Sequence, residues 1–291
     1  MQMRTDLAIE AREIAGESIS GVDFEEYRRG GMKLSRLTVK SERAKQALGK
    51  DPGTYITVEL PSLTDNFTDA DERIQIIGTE IRRLLPVNGL LLVAGLGNMD
   101  ITPDSLGPKT GQKVLATRHI PDEAARSAGL DGLRPVAVVQ TGVTGQTGIE
   151  TGEYLLSIVR AVKPGAVIAI DALASRRLER LGRTLQISDA GLSPGAGVGS
   201  HRTKICRETM GVPVISVGVP TVVDVQTLAG DLLGNRFYFQ DASSLEPDGR
   251  QMIVTPREID LLTERASRLI AFALNAAIQD KFRLSELVSL M

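Results

Sequence analysis

Two aspartates hold the positions in this sequence where side chains could carry out chemistry. Asp104 lies in the loop GLGNMDITPDSLGP after the apolar run LLLVA at 90–94, and Asp171 directly follows the run VIAI at 167–170. Both runs have the length of buried strands. A water held between two such carboxyls can lose a proton to one while the other donates to a carbonyl oxygen, and the pair then shares a proton. The pair therefore predicts amide hydrolysis.

Other catalytic groups are scarce. The chain has two histidines, His119 and His201, and one cysteine, Cys206. This set cannot assemble a structural Cys/His zinc site, and no G-x-S-x-G motif is present. The segment KICRETMG around Cys206 is typical of a helix. We therefore expect no metal and no cofactor, and a Ser or Cys triad is disfavoured.

A third loop, QTGVTGQTGIET at 140–151, follows the apolar run VAVV. Its backbone N–H groups and the helix start after it suit the stabilisation of an oxyanion. Asn98, Thr147 and Glu150 are candidate supporting residues. Each of these features also has a structural interpretation, with Asp104 as a helix N-cap, Asp171 as a strand-end carboxylate that binds backbone donors, and the loop at 140–151 as a tight connection.

The elements that must position these residues alternate along the chain. Four apolar runs predict parallel strands at 90–94, 136–139, 167–170 and 214–217. Helical spacing predicts helices at 69–85, 108–117, 148–162, 203–210, 221–233 and 256–277. This alternation predicts an α/β fold, a mostly parallel sheet with helices on both faces, whose ligands bind at the carboxyl ends of the strands. A small N-terminal antiparallel β element is predicted at about 32–60, around the turn region AKQALGKDPG.

Composition limits the class of protein. The chain has 291 residues, 42% hydrophobic and 24% charged, which is typical of a soluble globular protein. A net charge of −2 gives no field for nucleic acid or an anionic membrane, so no direct nucleic-acid binding is expected. No apolar stretch approaches the roughly 20 residues that span a bilayer. The single cysteine and the charged N-terminus predict a cytoplasmic protein.

Several long motifs occur in one order along the chain. They are RTDLAIEA, GLGNMDITPDSLGPKT, LATRHI, TGVTGQTGIETGEYL, IAIDALASRRLERL, QISDAGLSPGAGVG, VISVGVPTVVD and MIVTPREID. They run with few breaks from about 95 to 224, return at 252, and include a segment near the N-terminus. Together they resemble the spore germination protease family of endospore-forming bacteria.

The resemblance implies an aspartic-type endopeptidase, unrelated in sequence to pepsin, with a fold similar to hydrogenase-maturation proteases. It implies degradation of small acid-soluble spore proteins at germination, synthesis as a self-processing zymogen in the forespore and spore core, and assembly as a homo-oligomer, a tetramer. Carried over by motif, the family's proposed catalytic aspartates fall on Asp104 and Asp171, and its self-cleavage site falls between Asp6 and Leu7. The segment around that bond also resembles the site cut in the spore proteins.

The predicted organisation is a propeptide at 1–6 and a single α/β peptidase domain at 7–291. Within that domain the catalytic core is expected at 86–224 and the C-terminal helices at 255–291. The propeptide is very short, and the stretch between 231 and 252, which includes a predicted linker at 235–251, is shorter than in larger family members. These departures bear on zymogen control and assembly more than on chemistry.

Two alternatives remain from the motifs. GLGN with TRH at 117–119 is reminiscent of peptidyl-tRNA hydrolase, although the two pieces lie closer together there. GLGN with SPGAGVG at 193–199 is the basis for a non-enzymatic nucleotide-binding module.

Overall fold

The structure is a computed structural model, and it describes residues 5–16, 18–61, 63, 67, 71–195, 203–233 and 252–290. Residues 1–4 of the predicted propeptide and the predicted linker at 235–251 lie outside the described residues. Across the described part of the chain, no helix is both long enough and apolar enough to cross a bilayer.

One mixed sheet runs through the described chain. Its strands are β1 Val22–Arg29, β2 Met32–Val39, β3 Gly53–Glu59, β4 Leu91–Leu96, β5 Val136–Gly142, β6 Ala166–Ser175, β7 Thr184–Ser188, β8 Val214–Asp224 and β9 Ile253–Val254. Their order is β1-β2-β3-β7-β8-β6-β4-β5, and β9 pairs with β8. Strand β4 is parallel to β5 and β6, β6 is parallel to β8, and the other pairings are antiparallel.

The helices connect these strands and cover the sheet. They are α1 Ala8–Ala15, α2 Glu42–Leu48, α3 Glu72–Leu84, α4 Leu106–Gly111, α5 Asp122–Ser127, α6 Thr144–Thr147, α7 Thr151–Val162, α8 Arg207–Met210, α9 Val225–Leu233, α10 Ile259–Ile278 and α11 Leu284–Val288. Short 3-10 turns lie at Thr102–Asp104 and Leu178–Arg180.

The predicted fold class is confirmed, and all four predicted parallel strands are present as β4, β5, β6 and β8. The antiparallel part is larger than predicted, because the short alternating segment TLQIS forms β7 and joins β3 to β8. The N-terminal hairpin therefore continues the main sheet.

Several local predictions were wrong. The helices predicted at 108–117 and 203–210 are confined to Leu106–Gly111 and Arg207–Met210. The turn region between β2 and β3 contains α2, because Ser41 caps good helix formers by accepting from the Ala44 N–H, and Gly49 ends the helix at φ 64°. The predicted helix at 221–233 begins only at Val225, because the β-branched residues before it continue β8.

The two faces of the sheet have separate cores. On β4, Leu91 and Val93 pack with α3, α4 and α10, whereas Leu92 and Ala94 pack with α7 and α8. Strands β5 and β6 lie on opposite sides of β4, so the connections that lead to these two strands run in opposite directions across the sheet. This change of direction opens a crevice at the carboxyl ends of β4 and β6.

Candidate active site

The loop after β4 folds back tightly over the crevice. A Cβ added to Gly107 would lie 2.2 Å from the carbonyl oxygen of Leu96 and 2.4 Å from that of Ile170. Only glycine therefore lets the start of α4 pass across the carboxyl ends of β4 and β6. This close passage fixes where the loop can place its side chains.

Asp104 lies in this loop and is held from both sides. The Asn98 N–H donates to Asp104 Oδ2 at 2.7 Å, and the hydroxyl of Thr221 on β8 donates to the carbonyl oxygen of Pro103 at 2.8 Å. Helix α4 begins after Ser105 without a side-chain cap. The carboxylate of Asp104 therefore orders the loop instead of capping that helix.

Asp171 lies within β6 and not after its end, since the strand continues to Ser175. Its residue is 8% exposed, and its Oδ1 accepts the Ala172 N–H at 3.0 Å. The pairing of β6 with β8 shifts register just beyond it, between Leu173 and Ala174. Such an irregularity re-aims side chains at the end of a strand.

Asp104 and Asp171 line one cavity of about 240 Å³ between the ends of β4, β6 and β8. Much of its remaining wall is apolar, including Leu96, Leu173 and Val222. An apolar wall raises the cost of placing two negative charges in one cavity. Within the described residues, no group of three or more His, Cys, Asp and Glu side chains is arranged to hold a metal ion.

The three candidate supporting residues have different outcomes. Asn98 holds Asp104 through its backbone, and its Oδ1 accepts from Gln146 Nε2 at 2.7 Å. Thr147 closes its own turn against Val143 and Ile149, and Glu150 caps α7 by accepting the Glu153 N–H. Thr147 and Glu150 do not line the cavity of Asp104 and Asp171, and these hydrogen bonds go to neighbouring backbone groups.

The N-terminal segment docks beside β6. The Asp6 N–H donates to the carbonyl oxygen of Ala174 at 2.9 Å, and the Ala174 N–H donates to Asp6 Oδ2 at 2.7 Å. Leu7 and Ala8 have no exposed surface. Asp6 also lines the cavity of Asp104 and Asp171, so the bond predicted to be cut lies at this site.

The carbonyl oxygen of Asp6 accepts two side-chain hydrogen bonds. Lys50 Nζ donates to it at 2.9 Å and Gln186 Nε2 at 3.1 Å. Burial lowers the pKa of Lys50, an effect that the nearby acids Asp6, Glu10 and Asp51 partly oppose. Asp6, Asp171, Lys50 and Gln186 share the lining of a second cavity of about 130 Å³.

Glu10 anchors the far end of the segment. Its residue is fully buried, and it accepts the backbone N–H groups of Arg176 at 2.6 Å and Arg177 at 3.1 Å. Arg180 Nη1 lies 3.1 Å from its carboxylate. Burial would lower the pKa of Arg180, but Glu13 and Glu10 outweigh it and raise that pKa. The segment is therefore fixed at both ends.

Sequence reasoning missed Lys50, Gln186 and Arg180. Lys50 lies in the segment whose glycine and proline predict a turn, and Gln186 lies in β7, a strand that the apolar runs do not predict. Arg180 lies in the motif after Asp171 but carries no spacing signal of its own. Glu10, the fourth residue after the predicted cleavage site, is the sequence feature that indicates a cationic partner.

Fold and site together define an α/β protein with two acidic side chains at the crevice where the strand order reverses. The family model described as "Germination protease" matches residues 2–239. Proteins named germination protease from three organisms are similar over nearly their full length. They are from Caldanaerobacter subterraneus (42% identity, 95% of this chain and 94% of the relative), Clostridium tetani (39%, 99% and 99%) and Priestia megaterium (34%, 95% and 93%).

The chain therefore belongs to the germination protease family, and it is a peptidase with a role in germination. Among solved structures, the hydrogenase maturation protease HycI from Thermococcus kodakarensis matches 67% of this chain and 98% of its own, with 17% identity and a TM-score of 0.37. Similarity at this level does not define the activity of this chain.

Proposed function

We propose that this chain is an aspartic-type endopeptidase that cleaves small acid-soluble spore proteins in the spore core at germination, and that it first removes its own residues 1–6. The observation that carries the proposal is the cavity that Asp104 and Asp171 share with Asp6. Family membership supports the peptidase chemistry, and the motifs around the two aspartates support their role.

In the proposed reaction, one carboxylate takes a proton from a bound water, and the water oxygen attacks the carbonyl carbon of the peptide bond. The second carboxyl supplies the proton that the leaving nitrogen needs when the C–N bond breaks. Two carboxyls that share one proton start in the required state, with one base and one acid. Asp171, which is nearly buried, and Asp104, which is held by Asn98, meet the need for fixed groups.

The docked N-terminal segment supports a zymogen. It occupies the groove beside β6 that an extended substrate needs, since Asp6 exchanges hydrogen bonds with Ala174. While the segment stays there, a second peptide cannot bind. We also propose a homo-tetramer, on the family resemblance.

The nucleotide-binding alternative has little support in the loop that suggested it. A Cβ on Gly95 would lie 2.3 Å from the carbonyl oxygen of Gly107, and one on Gly97 would lie 2.1 Å from that of Asp104. These glycines make room for the returning loop and not for a phosphate. The second motif, 193–199, lies partly outside the described residues.

The test replaces each acid by its amide. Asp171→Asn and Asp104→Asn keep shape and hydrogen bonding but cannot accept the proton, so hydrolysis of a spore-protein peptide should fall by about 10²–10⁴-fold while the melting temperature is kept. Asp260→Asn, an exposed acid in the first turn of α10, is the matched control. Near-normal turnover by a folded Asp171→Asn enzyme would overturn the two-aspartate assignment.

A further inference from the structure

The carbonyl oxygen of Asp6 accepts more hydrogen bonds than docking of the N-terminal segment requires. Docking of this segment is already provided by the buried Leu7 and Ala8 and by the pairing of Asp6 with Ala174. Yet two further side chains converge on one atom, the carbonyl oxygen of Asp6. They come from separate parts of the sheet, Lys50 from the connection between α2 and β3 and Gln186 from β7.

The amide of Gln186 spans the bond. Its Nε2 donates to the oxygen of Asp6 at 3.1 Å, and its Oε1 accepts the Ala8 N–H at 2.7 Å. The carbonyl needs a donor and the N–H needs an acceptor, so these two partners fix the orientation of the amide. Gln186 thus holds the backbone on both sides of the Asp6–Leu7 bond.

Lys50 adds a second donor at the same oxygen. Its Nζ donates at 2.9 Å to the carbonyl oxygen of Asp6 and at 3.0 Å to that of Thr5. A carbonyl oxygen has two lone pairs, and Lys50 and Gln186 provide a donor for each. When water attacks the carbon, negative charge develops on this atom, where fixed donors stabilise it most.

We propose that Lys50 and Gln186 form the oxyanion hole of this peptidase, an inference that rests on the proposed self-cleavage between Asp6 and Leu7. The attacking water forms a C–O bond, its proton goes to one aspartate, and the C=O π pair moves onto the oxygen held by Lys50 and Gln186. As the tetrahedral carbon collapses, the C–N bond breaks and Leu7 nitrogen takes a proton from the carboxyl pair. One water is consumed, and a carboxyl terminus and an amine are formed.

This assignment gives the donors and the aspartates different roles. Because the carbonyl oxygen accepts hydrogen bonds from Lys50 and Gln186, neither aspartate has to donate to it. The two carboxyls then act only on the water and on the leaving nitrogen. The same two donors would meet the scissile carbonyl of a substrate bound in the groove.

The experiment measures self-cleavage of the full-length chain by mass spectrometry, together with the rate at which trypsin cuts at Arg12 in α1, which reports docking. Gln186→Glu keeps an acceptor for Ala8 but removes the donor to the carbonyl oxygen. Lys50→Met removes the second donor, and Lys50→Arg keeps a cationic one. Lys40→Met, a lysine whose side chain is 55% exposed, is the control.

We expect Lys50→Met and Gln186→Glu each to slow self-cleavage by about 10²–10³-fold with unchanged protection at Arg12, and Lys50→Arg to recover part of the rate. If both variants cleave themselves at the wild-type rate, the oxyanion-hole assignment is wrong, whereas the proposed self-cleavage still stands. A loss of cleavage that only matches the loss of protection would also overturn that assignment, because it would show a docking role. If the wild-type chain never cuts between Asp6 and Leu7, both this inference and the proposed self-processing fail.

Discussion

Glu10 offers the most direct test of how the N-terminal segment is held. The Glu10→Ala variant leaves the backbone N–H groups of Arg176 and Arg177 without their acceptor and removes one of the two carboxylates that face Arg180. Alanine has a higher helix propensity than glutamate, which offsets the loss of an acid from the first turn of α1. The measured effect should therefore report docking.

The magnitude follows from the contacts. Removal of one partner of a buried, hydrogen-bonded ion pair costs about 3–5 kcal/mol. Arg180 keeps Glu13 as a partner at 2.5 Å, so we expect the lower end, about 3 kcal/mol. Since about 1.4 kcal/mol is a factor of ten, docking should weaken roughly 100-fold.

Limited trypsin digestion at Arg12 provides the assay. An undocked helix as short as α1 does not persist in water, so cutting tracks the undocked population and should become up to about 100-fold faster. Self-cleavage between Asp6 and Leu7 should slow as the docked population falls. Glu42→Ala, in the first turn of α2 with its side chain 73% exposed, is the control. Equal protection of Arg12 in Glu10→Ala and the wild type would refute the reasoning.

Three further predictions concern packing, pH and metals. Gly107→Ala should lower the melting temperature and peptide hydrolysis, at a cost of about 1–3 kcal/mol or more, because its Cβ would meet backbone atoms, whereas Gly145→Ala, with open space around it, should change neither. Urea titrations of the wild type and of Lys50→Met give the difference between their free energies of unfolding. This difference should rise with pH between the lowered pKa of Lys50 and 10.5, because in that range the unfolded chain binds a proton that the native chain has released. A constant or falling difference would contradict this prediction. EDTA should leave hydrolysis unchanged if two carboxyls activate the water, and loss of activity with recovery on added Zn²⁺ would disprove that.

The sequence by itself determined the parallel centre of the fold. Strands β4, β5, β6 and β8 contain continuous apolar runs, and in β4, β6 and β8 that pattern follows from burial on both faces. The edge strand β5 is only partly buried. The strand ends then pointed to Asp104 and Asp171, because side chains at the carboxyl ends of parallel strands converge at one edge. The motifs of the same loops were sufficient to identify the family.

Only the tertiary structure decided what surrounds those acids. Gln186 lies 178 residues from Ala8 in sequence, and Lys50 lies 44 residues from Asp6, so no local pattern could pair them. Strand β7 is only five residues long, which is too short for its alternation to stand out from the neighbouring loops. The stretch that forms α2 is followed by glycine and proline, which indicate a turn. The donors at the Asp6 carbonyl come together only because β3 pairs with β7, and long-range strand pairing is not encoded in local periodicity.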